Sequence, residues 1–152
     1  MNAFRATPSE VGSVLEPGHV IERYTVDKRI GEGGMAVVFR VRHNQLGSSH
    51  ALKILTAPRP RIRERLLQEG RLQAGLRHSN VVSVTDVLEV NGSPALLMEY
   101  VAGPSLAQWL REFRPSLEDA LALFRGICEG VQEAHHHGLV HRDLKPANVL
   151  LA

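Results

Sequence analysis

The stretch that decides the fold is HRDLKPAN, residues 141–148. It follows a long amphipathic segment and brings together the carboxylate of Asp143, the ammonium of Lys145 and the amide of Asn148. Asp143 can accept a hydroxyl proton, Lys145 can neutralise charge on a phosphate group, and Asn148 offers an amide oxygen to a hard cation such as Mg²⁺. Any one of these residues would be ordinary in a surface loop, but the whole octapeptide predicts a site for phosphoryl transfer.

Composition and charge give no support to a nucleic-acid-binding or membrane-spanning protein. Eighteen basic and sixteen acidic residues give a formal net charge of +2, and the basic residues are spread along the chain, so nucleic-acid binding gains no support. No apolar run is long enough for a membrane span, and we expect a soluble, cytoplasmic protein. The single cysteine, Cys128, falls among apolar residues at helical spacing and is predicted to be a core residue.

Local patterns predict a sheet followed by helices. Residues 1–19 lack periodicity and are predicted to be a flexible leader. Short segments rich in β-forming residues then alternate with turns and with segments of helical period, which predicts an α+β fold with an antiparallel sheet. The predicted strands are Tyr24–Ile30, Val37–Arg42, His50–Leu55, Val81–Val90 and Ala95–Met98, and the predicted helices are Arg61–Arg77, Ser105–Phe113 and a third from the N-cap Ser116 to Gly138.

A glycine-rich segment, GEGGMAVV at residues 31–38, joins the first two predicted strands. Because Gly31, Gly33 and Gly34 carry no side chain, the backbone there can approach a phosphate closely. By itself this segment is more typical of an ordinary glycine-rich hairpin than of a phosphate-binding loop.

A lysine and a glutamate are each predicted to lie in apolar surroundings. Lys53 shares a strand face with Ala51 and Leu55, so its charge needs an anionic partner. Glu69 falls in the middle of the apolar stripe of the Arg61–Arg77 helix, which is formed by Ile62, Leu66, Leu72 and Leu76. The sequence therefore predicts a buried Lys53–Glu69 ion pair, the alternative being two separate surface residues whose stems lie on apolar surface.

From Tyr24 to the last residue, these motifs in combination resemble the protein kinase family, and in particular bacterial serine/threonine kinases. Residues 31–38 resemble the glycine-rich loop, Lys53 the phosphate-binding lysine and Glu69 its partner on helix C. The segment Met98–Val101 resembles the hinge between the lobes, and Lys145 followed by Pro146 resembles the serine/threonine form of the catalytic loop.

The resemblance implies a kinase-like architecture and a set of roles. It implies an N-lobe over residues 20–100, with a five-stranded antiparallel sheet and helix C, and a hinge with an incomplete C-lobe over residues 101–152. Asp143 would be the catalytic base, with Lys145, Asn148, Lys53 and Glu69 as its catalytic partners and Asn148 as the metal ligand. The nucleotide would be bound by Ile30, Gly31, Gly33, Gly34, Val38, Ala51, Lys53, Met98 as gatekeeper, the backbone of Glu99 and Val101, and Leu150.

The implied function is transfer of the γ-phosphoryl of ATP, with Mg²⁺, to serine or threonine hydroxyls of a protein substrate. The family's Asp-Phe-Gly magnesium motif would lie beyond Ala152, so we expect little turnover from residues 1–152 alone. The alternative is a non-catalytic nucleotide-binding or interaction module. Two departures from the family pattern are Ala36, where a third loop glycine is usual, and Gln73, where helix C commonly carries an apolar residue.

Overall fold

The computed structural model describes residues 15–33, 36–56 and 60–152, apart from the side chains of Ile62, Arg65 and Glu69. Residues 1–14 of the predicted leader, together with Gly34 and Met35, lie outside the described residues. The elements are β1 (Val20–Ile21), β2 (Tyr24–Glu32), β3 (Ala36–His43), β4 (Ser49–Leu55), α1 (Pro60–Ala74), β5 (Val84–Val90), β6 (Ser93–Glu99), α2 (Leu106–Glu112), α3 (Leu117–His136) and a 3₁₀ turn (Pro146–Asn148).

The strands form one antiparallel sheet in the order β1-β2-β3-β4-β6-β5. The predicted α+β fold class with an antiparallel sheet is confirmed, and the two-residue strand β1 is added at the edge of the five predicted strands. The β5–β6 hairpin turns at Asn91 and Gly92, whose φ angles are 48° and 80°. Two successive residues of positive φ give a tight turn with the twist that antiparallel strands require.

The chain divides into two compact units. Residues up to Ala74 together with Val84–Tyr100 form the first unit, and Gly75–Ser83 together with Val101–Ala152 form the second. In the first unit, one face of the sheet carries the main core, which includes Phe39, Leu52, Ile54 and Leu97. Leu15, within the predicted leader, is also buried in this core, and the backbones of Gly18 and His19 hydrogen-bond to Val26.

The opposite face of the sheet is covered in part by α1. Leu66 of the helix packs with Leu96, Val84 and Leu55 of the strands. Gly70 allows close approach, because a Cβ atom there would lie 2.8 Å from Leu96 Cδ2. A side chain at this position would require the Leu96 side chain to move.

The helix α1 differs from its prediction in extent and in the direction of its buried face. It ends at Ala74 rather than Arg77, and Leu72, predicted to belong to the apolar stripe, is 44% exposed. The reason is that the contact runs through Leu66 and Gly70, and Leu72 lies about 120° around the helix from Leu66 at 100° per residue. Arg63 also holds the helix, because its guanidinium reaches Glu89 Oε2 at 2.6 Å and the Gly92 carbonyl oxygen at 3.2 Å.

In the second unit, both helices begin with reciprocal side-chain caps. Ser105 and Gln108 cap α2, and Ser116 and Asp119 cap α3, as the serine at 116 predicts. At the other end of α3, Gly138 adopts a φ of 73°, which ends the helix as predicted.

One face of α3 is apolar and exposed. Leu117 is 78% exposed and Phe124 64% exposed, and a groove of about 370 Å³ runs along the helix beside Leu144. Cys128 lines this groove and is exposed, so its prediction as a core residue is wrong. Its apolar helical spacing is real, but no described residue covers that face. Among the described residues, no helix is both long and apolar enough to cross a membrane.

Candidate active site

Four of the predicted nucleotide-binding residues lie on one face of the sheet. Val38 on β3 is the cross-strand partner of Lys53 on β4, and Ala51 on β4 is the partner of Met98 on β6. Directly opposed residues, and residues two apart on one strand, point to the same side. The fold therefore brings Val38, Ala51, Lys53 and Met98 together on the face opposite the main core, where Ala51 is buried and the others are half-buried.

The glycine-rich segment borders this face. Gly31 lies opposite Val38, and a Cβ atom at Gly31 would lie 3.7 Å from Val38 Cβ, an ordinary contact distance. The Gly33 amide donates a 2.8 Å hydrogen bond to the Ala36 carbonyl oxygen, which closes the tip of the β2–β3 hairpin. Ile30 is the extra residue in a β-bulge between Arg29 and Gly31 and is exposed. Gly34 lies outside the described residues.

The backbone of α1 lies where the predicted ion pair between Lys53 and Glu69 requires it. Leu96 is the cross-strand partner of Lys53, and Gly70 of α1 packs directly against the Leu96 side chain. The α1 backbone at Glu69, the residue before Gly70, therefore lies over the same face of the sheet as Lys53. The Glu69 side chain lies outside the described residues, so the ion pair stays a prediction.

The predicted hinge residues are divided between the two units. Met98 and Glu99 end β6 in the first unit, where Glu99 is the cross-strand partner of His50. Val101 and Leu150 belong to the second unit. There Leu150 forms an isolated antiparallel bridge with Ser105, just before α2 begins.

The predicted catalytic loop is a closed, hydrogen-bonded structure. The Lys145 ammonium lies 2.8 Å from Asp143 Oδ2. The Asn148 amide nitrogen donates to the Asp143 carbonyl oxygen at 2.8 Å and to Asp143 Oδ2 at 3.0 Å. The Asp143 amide in turn donates to His141 Nδ1 at 3.3 Å. The three residues that the sequence groups are thus brought together around one carboxylate.

The same contacts determine the acidity of the carboxyl group. The Lys145 hydrogen bond, with a smaller contribution from Asn148, holds the pKa of Asp143 below its ordinary value. Asp143 is therefore ionised at neutral pH and can accept a hydrogen bond from a hydroxyl group. Arg142, immediately before it, has a φ of 61°, a conformation that is uncommon for residues other than glycine and often marks functional sites.

The geometry also defines what Asn148 can offer to a cation. Its side-chain nitrogen donates hydrogen bonds to two Asp143 oxygens, which can only accept them. The orientation of the amide group is therefore fixed, and Oδ1 is the atom that can bind a cation. In the described part of the chain, no group of three or more His, Cys, Asp or Glu side chains could hold a metal ion. A hard cation here would bind through a few protein oxygens and complete its shell with water or phosphate, as Mg²⁺ commonly does.

The backbone after the loop is fixed by pairing with the segment before α2. The Leu106 amide donates to the Val149 carbonyl oxygen at 2.8 Å, and the Leu151 amide donates to the Pro104 carbonyl oxygen at 3.0 Å. Gly103 permits this pairing, because a Cβ atom there would lie 1.7 Å from the Leu151 carbonyl oxygen. Sequence reasoning missed this role of Gly103, since the pairing joins segments almost fifty residues apart.

A second support that sequence reasoning missed connects α3 to the segment that follows α1. Asn80 Nδ2 donates to the Gly126 carbonyl oxygen at 3.0 Å, and Gly130 lies against the Asn80 backbone. Two glycines four residues apart in a helix lie on one side of it, which is the available signal for a close contact. The contact helps to fix the helix that leads into the predicted catalytic loop.

Comparison with known proteins agrees with this arrangement. A family profile described as "Protein kinase domain" matches residues 24–152. The serine/threonine-protein kinase PknJ of Mycobacterium tuberculosis is 33% identical over 141 residues, which cover 91% of this chain and 24% of that protein. The probable serine/threonine-protein kinase PknB of Corynebacterium glutamicum is 35% identical over 142 residues, covering 87% of this chain and 22% of that protein.

Among solved structures, the kinase domain of M. tuberculosis PknI matches with a TM-score of 0.80 and 30% sequence identity. The match covers 91% of this chain and 58% of that one. The chain therefore spans about a quarter of the length of the curated relatives it matches, and less than two thirds of a solved kinase domain.

Proposed function

Because this chain belongs to the protein kinase family, we propose that it is part of an enzyme that transfers the γ-phosphoryl group of ATP to serine or threonine hydroxyls of a protein substrate. The serine/threonine class is supported by the names of its relatives and by the Lys145–Pro146 dipeptide of the loop. Since ATP is a cytoplasmic substrate, we place this activity in the cytoplasm. Residues 20–100 and 101–152 correspond, in this proposal, to the N-lobe and to the hinge with part of the C-lobe.

The observation that carries the proposal is the arrangement of Lys145 and Asn148 around Asp143. Phosphoryl transfer needs little covalent chemistry from the protein, and catalysis comes mostly from positioning and from neutralising charge. A carboxylate that is fixed by an amide and paired with an ammonium meets both needs. Asp143 orients the attacking hydroxyl group and accepts its proton, and Lys145 neutralises charge that develops on the transferred group.

Binding of ATP is proposed to depend on the sheet face that carries Lys53. In this proposal Lys53 binds the phosphates of ATP and is held by Glu69. Ile30, Val38, Ala51 and Leu150 pack on the adenine ring, Met98 is the gatekeeper, and the backbones of Glu99 and Val101 bind the adenine edge. The apolar, half-buried character of Val38 and Met98 beside a cation supports this assignment, because nucleotide sites combine apolar walls with a few charged groups.

A magnesium ion is proposed as the cofactor, with Asn148 Oδ1 as its ligand from the described residues. When bound, Mg²⁺ would neutralise negative charge on the phosphates of ATP. The donor chemistry fits, because an amide oxygen is a hard ligand and Mg²⁺ commonly takes only one or two ligands from the protein.

The proposal is tested in the gene product that contains residues 1–152, by transfer of radiolabelled phosphate from ATP to a serine- and threonine-containing protein. Asp143→Asn is expected to reduce transfer by about 10²-fold or more while nucleotide affinity stays within about twofold. Lys53→Met is expected to weaken ATP binding, with Lys28→Met, at an exposed strand lysine, as the matched control. Full transfer activity in Asp143→Asn would refute the assignment of the base, and a large loss of affinity there would indicate a structural aspartate instead.

A further inference from the structure

A β-bulge in β2 directs an acidic side chain onto an arginine of β3. Val26 pairs with Val41 and Lys28 pairs with Arg40, so Asp27 is the extra residue between them. Bulges of this kind re-aim side chains and are common next to functional sites. The Asp27 carboxylate lies 3.1 Å from Arg40 Nε, and the two side chains are only 18% and 34% exposed.

The same arginine contacts the residue that follows β6. The Arg40 guanidinium carbon lies 5.8 Å from the centre of the Tyr100 ring, within the range of a cation–π interaction. Asp27, Arg40 and Tyr100 thus connect β2, β3 and the start of the predicted hinge, all within the first unit.

The position of Arg40 relates this contact to the nucleotide face. Arg40 is the cross-strand partner of Ala51, which is the partner of Met98, so the arginine lies on the same face as the residues proposed to bind adenine. Val38, two residues earlier on β3, lies nearer the glycine-rich tip of the hairpin. Arg40 is therefore placed at the adenine end of this face and away from the phosphate end.

We propose that Asp27, Arg40 and Tyr100 form a brace that fixes the spacing between the β2–β3 hairpin and the end of β6, and that Arg40 is thereby a positioning residue for the adenosine part of the nucleotide. The inference rests on the proposed function and deepens it. The brace holds the strand that carries Val38 at a set distance from the segment that begins at Glu99. A planar guanidinium suits this role because it can pair with a carboxylate at its edge while its face lies on an aromatic ring.

The experiment measures the dissociation constants of adenosine and of ATP with Mg²⁺, using the 152-residue chain and its variants. Arg40→Met keeps the length of the side chain and removes its charge, and Arg42→Met alters an exposed arginine on the same strand and face as the control. Tyr100→Leu removes the ring, and Tyr100→Trp restores an aromatic face. The unfolding midpoint in urea is measured for each variant, to show that it is folded under the binding conditions.

We expect Arg40→Met and Tyr100→Leu to weaken adenosine and ATP binding by about the same factor, roughly three- to tenfold each. The double variant should lose little more than either single variant, because both remove one shared contact. Tyr100→Trp and Arg42→Met should bind like the unaltered chain.

Three results would overturn the inference. Unchanged affinities in Arg40→Met, with or without a lower unfolding midpoint, would make the contact merely structural. A loss for ATP that greatly exceeds the loss for adenosine would instead make Arg40 a direct phosphate ligand. Failure of the unaltered chain to bind either compound would overturn the proposed nucleotide site together with the brace, and this is distinguishable from failure of the brace alone.

Discussion

Two glycines on one helix provide a matched test of how α3 is held. In Gly130→Ala the new Cβ atom would lie 2.6 Å from the Asn80 carbonyl oxygen and 3.2 Å from Asn80 Cβ. In Gly126→Ala, one turn earlier, the closest atom would be Asn80 Nδ2 at 3.5 Å, an ordinary contact. Both changes are otherwise the same, since each replaces a glycine inside a helix with the best helix-forming residue.

The expected effects have opposite signs. Each substitution gains about 1 kcal/mol of helix propensity. Gly126→Ala keeps this gain, so we expect the chain to be more stable by up to about 1 kcal/mol. In Gly130→Ala, the loop at Asn80 must move away, at an overpacking cost of about 1–3 kcal/mol. The shift also strains the Asn80–Gly126 hydrogen bond, worth about 1 kcal/mol. We therefore expect a net loss of about 1–3 kcal/mol.

The assay is urea unfolding of the two variants and the unaltered chain, followed by circular dichroism. With a urea dependence of about 1.5–2 kcal/mol per molar, the two variants should differ in midpoint by about 1–3 M. Hydrogen exchange at the Asn80 amide provides a local measurement, and exchange should be faster only in Gly130→Ala. If both variants were equally stabilised, the close contact between α3 and the Asn80 loop would not exist as described.

Three further predictions concern other contacts of the structure. Gly103→Ala should destabilise the chain by about 1–3 kcal/mol in urea unfolding, because the new methyl group cannot fit against the Leu151 carbonyl oxygen. The two backbone hydrogen bonds there would break. Unchanged stability would contradict the pairing of these two backbone segments. Burial, and then a nearby histidine, hold the pKa of His50 below its ordinary value of 6.5, so the unfolded state takes up more protons and stability should fall as the pH drops through that value. His50→Gln should flatten this dependence, measured as urea midpoints between about pH 7.5 and 5.5. Lys145→Met should raise the pKa of Asp143 toward its ordinary value in a carboxyl-carbon NMR titration, and an unchanged pKa would show that the ammonium is not its main cause.

Much of the fold was predictable because its signals are local. The Asn91–Gly92 turn, the Ser116 cap and the Gly138 stop each act within a few residues, and all three do what the sequence predicts. Strand alternation also placed Lys53 on the face of Ala51, which the register confirms. The grouping of Asp143 with its two partners was predictable for the same reason, since they share one short loop.

The remaining features depend on contacts between distant segments. Helical spacing showed that Cys128 lies on an apolar face, but spacing cannot show whether another element covers that face. Leu72 was predicted to be buried because it follows the helical spacing of the other apolar residues. The helix instead contacts the sheet on the side of Gly70, and a glycine has no side chain that could indicate this contact in the sequence. The bulge at Asp27 likewise has no signal in the sequence, because an inserted residue in one strand is defined only by the register of its neighbour.

The hydrogen bonds of the proposed catalytic loop depend on the spacing of its three polar residues. Asn148 reaches back over the 3₁₀ turn to the carbonyl and carboxylate oxygens of Asp143, so the turn that starts at Pro146 sets the distance between them. Lys145 lies before that turn and can reach the same carboxylate from the other side. A longer loop would separate the amide from the acid, and the aspartate would lose a contact that orients its carboxylate. The spacing of HRDLKPAN is therefore a mechanical requirement of the site as well as a signature of the family.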